Sequence, residues 1–88
     1  MNLNPTMQEM TEIFEDAKEF GANFIAVKVK MDGFEKPEVI LNEKENIDSK
    51  LEYYKKTYNE DLTHKFSPGI RIINYTYGNT FNDIRQTL

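Results

Sequence analysis

The apolar residues of this 88-residue chain change period along its length, and the order of those changes limits the folds open to it. Met7, Met10, Ile13, Phe14, Ala17 and Phe20 recur every three or four positions, the spacing of one buried helix face. Asn4-Pro5 reads as the helix start, with Asn as N-cap and Pro at the first helical position, and Gly21 as its left-handed stop. Ile25, Val27, Val29 and Met31 then alternate with Ala26, Lys28 and Lys30, which is the period of a strand with one core face. Asp32-Gly33 is a two-residue hairpin signal of type I′. The return strand is expected over Glu35 to Leu41, at a sheet edge because Pro37 has no N–H to donate.

Asn42 to Asn46 is polar and reads as a connector to a second helix, with Asn46 as N-cap and Asp48 in the first turn. Ile47, Leu51, Tyr54, Tyr58 and Leu62 form its apolar stripe. Thr63 to Gly69 is expected to be a loop. Ile70 to Tyr77 is a third strand, apolar on both faces and free of proline, as a strand inside a sheet is. Gly78 ends it. Thr80-Phe81-Asn82-Asp83 resembles a capping box with Asp in place of Glu, opening a short terminal helix whose apolar side is Phe81, Ile84 and Leu88. The fold class is therefore α+β, a single domain over 1–88 with element order αββαβα. The crossover through the second helix returns parallel to the second strand. The third strand then lies beside the first, giving a small three-stranded sheet of order 2-1-3. Two helices cover one sheet face and a short C-terminal helix follows.

The stretch LEYYKKTY, Leu51 to Tyr58, sets tyrosines beside lysines, as a stacking platform for nucleic-acid bases does. At 100° per residue, however, Tyr54 and Tyr58 fall on the core stripe, and only Tyr53 points elsewhere. A net charge of −4 also repels phosphate, so direct nucleic-acid binding is disfavoured. It would require Lys28, Lys30, Lys55, Lys56 and Arg71 to converge. Catalytic and metal chemistry find no motif. The chain has no cysteine, His64 is its one histidine, and Asp32-Gly33 lacks the alternating oxygen ligands of a calcium loop. The four glycines form no phosphate loop. A non-enzymatic protein without cofactor is expected. It is expected to be cytoplasmic, since the lack of cysteine fits a reducing compartment, and not membrane-bound, because no apolar run nears the roughly 18 residues that span a bilayer.

Charge is unevenly spread. Glu9, Glu12, Glu15, Asp16 and Glu19 stand against Lys18 alone in the first 20 residues, so the whole excess sits on the first helix. Glu9, Glu12, Asp16 and Glu19 fall on one stripe opposite the apolar one. Such a row is either a solvated face or a docking surface for a host protein with a basic patch. A second candidate surface is the sheet face away from the helices, where Tyr75 and Tyr77 with Ile73 are expected on one side of the third strand and Ile70 and Ile72 on the other. Exposed, it would mark an interface; the bland alternative is that Phe81, Ile84 and Leu88 fold back over it.

In size, acidity, lack of cysteine and element order the chain resembles the small accessory proteins of phages and prophages of AT-rich Gram-positive bacteria. Some of these inhibit or redirect a host protein, as anti-CRISPR proteins and uracil-DNA glycosylase inhibitors do. The resemblance implies protein binding and assigns no residues. The expected function is thus a protein-binding module, a modulator or inhibitor of a host nucleic-acid enzyme, acting through the acidic first helix. The alternative is a structural or self-assembling protein that dimerises through its open sheet face or edge strand.

Overall fold

A computed structural model describes residues 5–88. Its elements are α1 (Met7–Phe20), β1 (Phe24–Met31), β2 (Glu38–Glu43), a 3-10 turn (Lys44–Asn46), α2 (Ile47–Thr57), β3 (Ile70–Gly78) and α3 (Phe81–Thr87). The sheet order is β2-β1-β3, and both outer strands run antiparallel to β1. The αββαβα order and the 2-1-3 sheet are as expected. The third strand is not central, however: β1 is, and β3 is an outer strand.

Helix α1 forms because its stripe buries Met7, Met10, Phe14 and Ala17. Asn4, the expected N-cap, lies outside the described residues. The cap is Thr6, whose hydroxyl accepts the N–H of Glu9, and Gly21 closes the helix at φ 71°. Phe20 leaves the stripe and is 75% exposed, stacked on Tyr77 with ring centroids 6.0 Å apart. Ile25, Val27 and Val29 of β1 meet the buried residues of α1 and α2 in one cluster.

The connection after β1 differs from a tight hairpin. The N–H of Phe34 reaches the carbonyl of Met31, so a turn does sit on Asp32-Gly33. Gly33 has φ 87° while Asp32 keeps a negative φ, the pattern of a type II rather than a type I′ turn. Strand pairing resumes only at Val29↔Glu38. The end of β1 is instead paired with β3 through Met31↔Ile70, and the N–H of Asp32 is taken by the carbonyl of Gly69. Strand β2 therefore starts at Glu38, just past Pro37, and not at Glu35. It also runs on through Asn42, which belongs to the strand and is buried opposite Ile25. The Asn42 amide donates to the carbonyl of Ile25 at 3.3 Å and to the Tyr54 hydroxyl at 3.4 Å, while its own oxygen is buried without a partner.

Helix α2 begins after Asn46, whose side chain makes no cap bond; the Ser49 hydroxyl bonds its carbonyl instead. The helix ends at Thr57, so Tyr58 is its C-cap and Leu62 lies beyond it. Leu62 still reaches the core, but in a left-handed turn at φ 66°. The segment after it is tied to the outer edge of β3. Ile72 donates to the carbonyl of Leu62, and His64 donates to that of Ile70.

As the helical geometry requires, Tyr54 and Tyr58 are buried and Tyr53 is exposed under the Lys50 ammonium. Burial, followed by the neighbouring Tyr53 and Tyr54, pushes the Tyr58 hydroxyl up to about 12. Burial raises Tyr54 as well. The raised value has a stability consequence. Below pH 10 the phenol is neutral in both states. Between pH 10 and 12 only the unfolded chain ionises, so stability falls across that window. The expected loss is about 2 kcal/mol, measured as urea unfolding at pH 9 against pH 11.5, and Tyr58→Phe is expected to flatten the slope.

Candidate functional site

The two surfaces singled out in the sequence have different fates. The acidic stripe forms on α1, a helix capped at both ends. Glu12, Asp16 and Glu19 are exposed on it, and none of the three has an ion-pair partner among the described residues. Glu9 departs from them. It is half-buried, and its carboxylate accepts the Tyr75 hydroxyl at 2.6 Å across the α1–β3 junction. Lys18 pairs with Asp48 of α2 at 2.7 Å, and that hydrogen bond to a carboxylate raises its pKa. The helix's own cation is thus turned toward α2, away from the stripe. At Glu12 the stripe meets a cleft of about 610 Å³ between α1 and the end of α2, where Lys55 and Lys65 stand opposite.

The sheet-face expectation is corrected by a β-bulge. Lys28 pairs with Asn74 and Val29 with Ile72, so Ile73 is an extra residue in β3. The bulge resets the alternation. Ile70 and Ile72 before it, and Tyr75 and Tyr77 after it, all pack against the helix-side core, rather than on opposite faces. Tyr75 and Tyr77 are therefore not on an open sheet face. Their ring contacts and hydrogen bond run to α1, so the sequence-predicted site residues Glu9 and Tyr75 are joined to each other while Glu12, Asp16 and Glu19 remain outward.

The far sheet face is covered in part by α3. Its start is fixed by a complete capping box. The Thr80 hydroxyl accepts the N–H of Asp83, and the Asp83 carboxylate accepts the N–H of Thr80. Phe81 packs on Phe24 at 5.0 Å, Ile84 is buried, and Thr87 bonds Thr76. Lys28 donates to the carbonyl of Leu88. Beside this helix a groove of about 340 Å³ stays open, walled by Phe81, Ile84 and Leu88 and floored by Val39 and Leu41 of β2. No helical or strand period in the sequence marks this groove as a whole. Its signal was the alternation of Val39 and Leu41 with Ile40 and Asn42, which puts apolar side chains on both faces of an edge strand.

The residues of the nucleic-acid reading do not converge. Lys28, Lys30 and Arg71 share the α3 side of the sheet, with Lys30 directly opposite Arg71. Lys55 and Lys56 stand on α2, across the sheet. His64 is half-buried, and its Nδ1 accepts the N–H groups of Phe66 and Ser67 at 3.1 and 3.0 Å, so it organises the loop after Leu62. Asp61 does the same for the preceding turn, where hydrogen bonds from Thr63 hold its carboxyl below the ordinary value. Among the described residues no three His, Cys, Asp or Glu side chains gather as a metal site, and no helix is long and apolar enough to cross a membrane. No protein-family model, curated protein or solved structure matches this chain.

Proposed function

We propose that the chain is a non-enzymatic protein-binding module whose α1 face docks a partner with a basic surface. In this reading it acts as a phage-encoded modulator or inhibitor of a host nucleic-acid enzyme. The supporting observation is the exposed row Glu12, Asp16 and Glu19, none of them in an ion pair among the described residues, on a helix whose opposite face is locked into the core. Unpaired carboxylates on a rigid element keep their long-range field and steer a positive surface toward them. A partner that binds phosphate backbones carries such a surface, and a row of carboxylates imitates the backbone's charge.

The double reversal Glu12→Lys/Asp16→Lys tests this. Both side chains are solvent-facing, so the far-UV spectrum and melting temperature are expected to hold. Host proteins retained by the immobilised wild type at low salt are expected to fall at least tenfold on the double mutant. A control with the same charge change on other exposed positions, Glu35→Lys/Glu52→Lys, is expected to retain them. Equal retention by the α1 mutant and the wild type would sink the reading.

A further inference from the structure

The free edge of β2 and the groove beside it form one surface. Lys44 donates its N–H to the carbonyl of Asn23 at 2.9 Å, which sets the hydrogen-bond alternation along the β1–β2 ladder. Residues 38, 40 and 42 therefore turn their backbone groups toward β1, and Val39, Leu41 and Glu43 turn theirs outward. No other strand pairs with that edge among the described residues. The same residues Val39 and Leu41 carry the exposed apolar side chains, at 44% and 42%, on the α3 side, where Phe81 is 59% exposed. Unpaired donors and acceptors thus run beside an apolar groove, and against edge pairing stand Pro37 at the strand's start and the exposed carboxylates of Glu38 and Glu43. The outer edge of β3 is different, because Leu62 and His64 occupy its first half.

We infer that this edge is a self-association site, pairing antiparallel with β2 of a second copy about a two-fold axis at Leu41. Charges at the two ends of β2 select the occupant: Glu38 opens the strand, and Lys44, the first residue of the 3-10 turn, follows its end. In Glu38-Val39-Ile40-Leu41-Asn42-Glu43-Lys44, rotation about Leu41 sets Glu38 opposite the partner copy's Lys44, twice. It also sets Leu41 against Leu41 on the groove side. Opposite charges and apolar pairs directly across an antiparallel ladder stabilise it, and like charges oppose it. A shift of one residue is excluded, because it would turn inward-facing backbone groups to the partner. Centring on Ile40 places Lys36 opposite Lys44 twice. Centring on Asn42 places Leu41 opposite Glu43. The Leu41 register alone joins opposite charges and sets Leu41 against Leu41, and these outweigh the Val39–Glu43 pairs it also makes. This surface lies on the sheet face opposite α1, so it stands independently of the acidic-face proposal.

The absence of cysteine makes the register directly testable, since an introduced thiol is the chain's only one. Light scattering on the unmodified protein is expected to show the mass doubling from 10.4 kDa as concentration rises. Leu41→Cys is expected to oxidise to a covalent dimer at least tenfold faster than Glu52→Cys on α2. Residues on the axis in a hydrogen-bonded pair have Cα atoms about 5.5 Å apart, within disulfide reach. Val39→Cys, displaced from its own copy by four residues along the ladder, is expected to match the slow control. Leu41→Lys is expected to abolish the mass doubling while keeping the wild-type circular dichroism. A protein that stays monomeric, with Leu41→Cys no faster than Glu52→Cys, overturns the inference and leaves the edge to a strand of another chain. Equally fast oxidation of Val39→Cys also overturns it, because the pairing would then lack the Leu41 axis.

Discussion

Phe14→Ala is expected to lower the stability of the domain by about 3–5 kcal/mol, the range for truncating a fully buried aromatic. Phe14 is 0% exposed and meets Tyr54 edge-on, with ring centroids 6.0 Å apart. Together with the Lys18–Asp48 pair, it is a contact through which α1 and α2 hold each other above the sheet. Its loss leaves a cavity that neither helix can close without lifting off Ile25 and Val27. A domain of this size has about 5–15 kcal/mol in total, so about a fifth or more of its stability is at stake. The melting temperature is expected to fall by on the order of 15–30 °C, and urea unfolding gives the free energy directly. A loss under 1 kcal/mol would mean that α1 does not pack through this residue.

Gly69→Ala is the second large effect, at about 3 kcal/mol. Gly69 sits at φ 94°, where a side chain is strained whatever the space around it. A Cβ there would also lie 2.6 Å from Oδ2 and 3.1 Å from Cβ of Asp32. The same residue accepts the N–H of Asp32, the bond that ties the end of β1 to the start of β3. Adding Asp32→Ala to Gly69→Ala removes the collision with the carboxylate and leaves the backbone strain. The double mutant is therefore expected to recover part of the loss and not all of it. Full recovery would assign the whole cost to the collision.

These two residues also mark how far the fold was legible in the sequence. Phe14 was, because four turns of a 3.6-residue stripe have no other use than burial. The capping box at Thr80 was legible for the same local reason. Where two long-range demands competed, local signals misled. Asp32-Gly33 predicts a tight hairpin, but the end of β1 is claimed by β3, so β2 cannot pair until Glu38. Leu62 continues the α2 stripe by arithmetic, yet the chain leaves the helix at Tyr58 and brings Leu62 back through a left-handed turn. Asn42 is polar and reads as a connector; pairing with Ile25 makes it core. The doubled Ile72-Ile73 was the available sign of the bulge, since strict alternation tolerates one of them on a face and not both. Without the bulge, plain alternation puts Tyr75 and Tyr77 on the opposite surface from Ile70 and Ile72. The candidate site was legible in its exposed part, Glu12, Asp16 and Glu19. The inward turn of Glu9 depends on Tyr75, 66 residues away, and no local pattern carries that.

The two sides of the sheet end differently, and on the edge pairing inferred above this limits how far the protein can assemble. On the β3 side, Leu62 and His64 sit against the strand, and the next outward N–H, that of Tyr75, is taken by the Asn74 side chain. On the β2 side the ladder is open. A sheet with one growable end can join once and then stops, whereas a sheet open at both ends can template fibres. The loop between Leu62 and His64 is in this sense a terminator. Cutting it away or loosening it at His64 would give the molecule a second sticky end, and with it a route from pairing to filament.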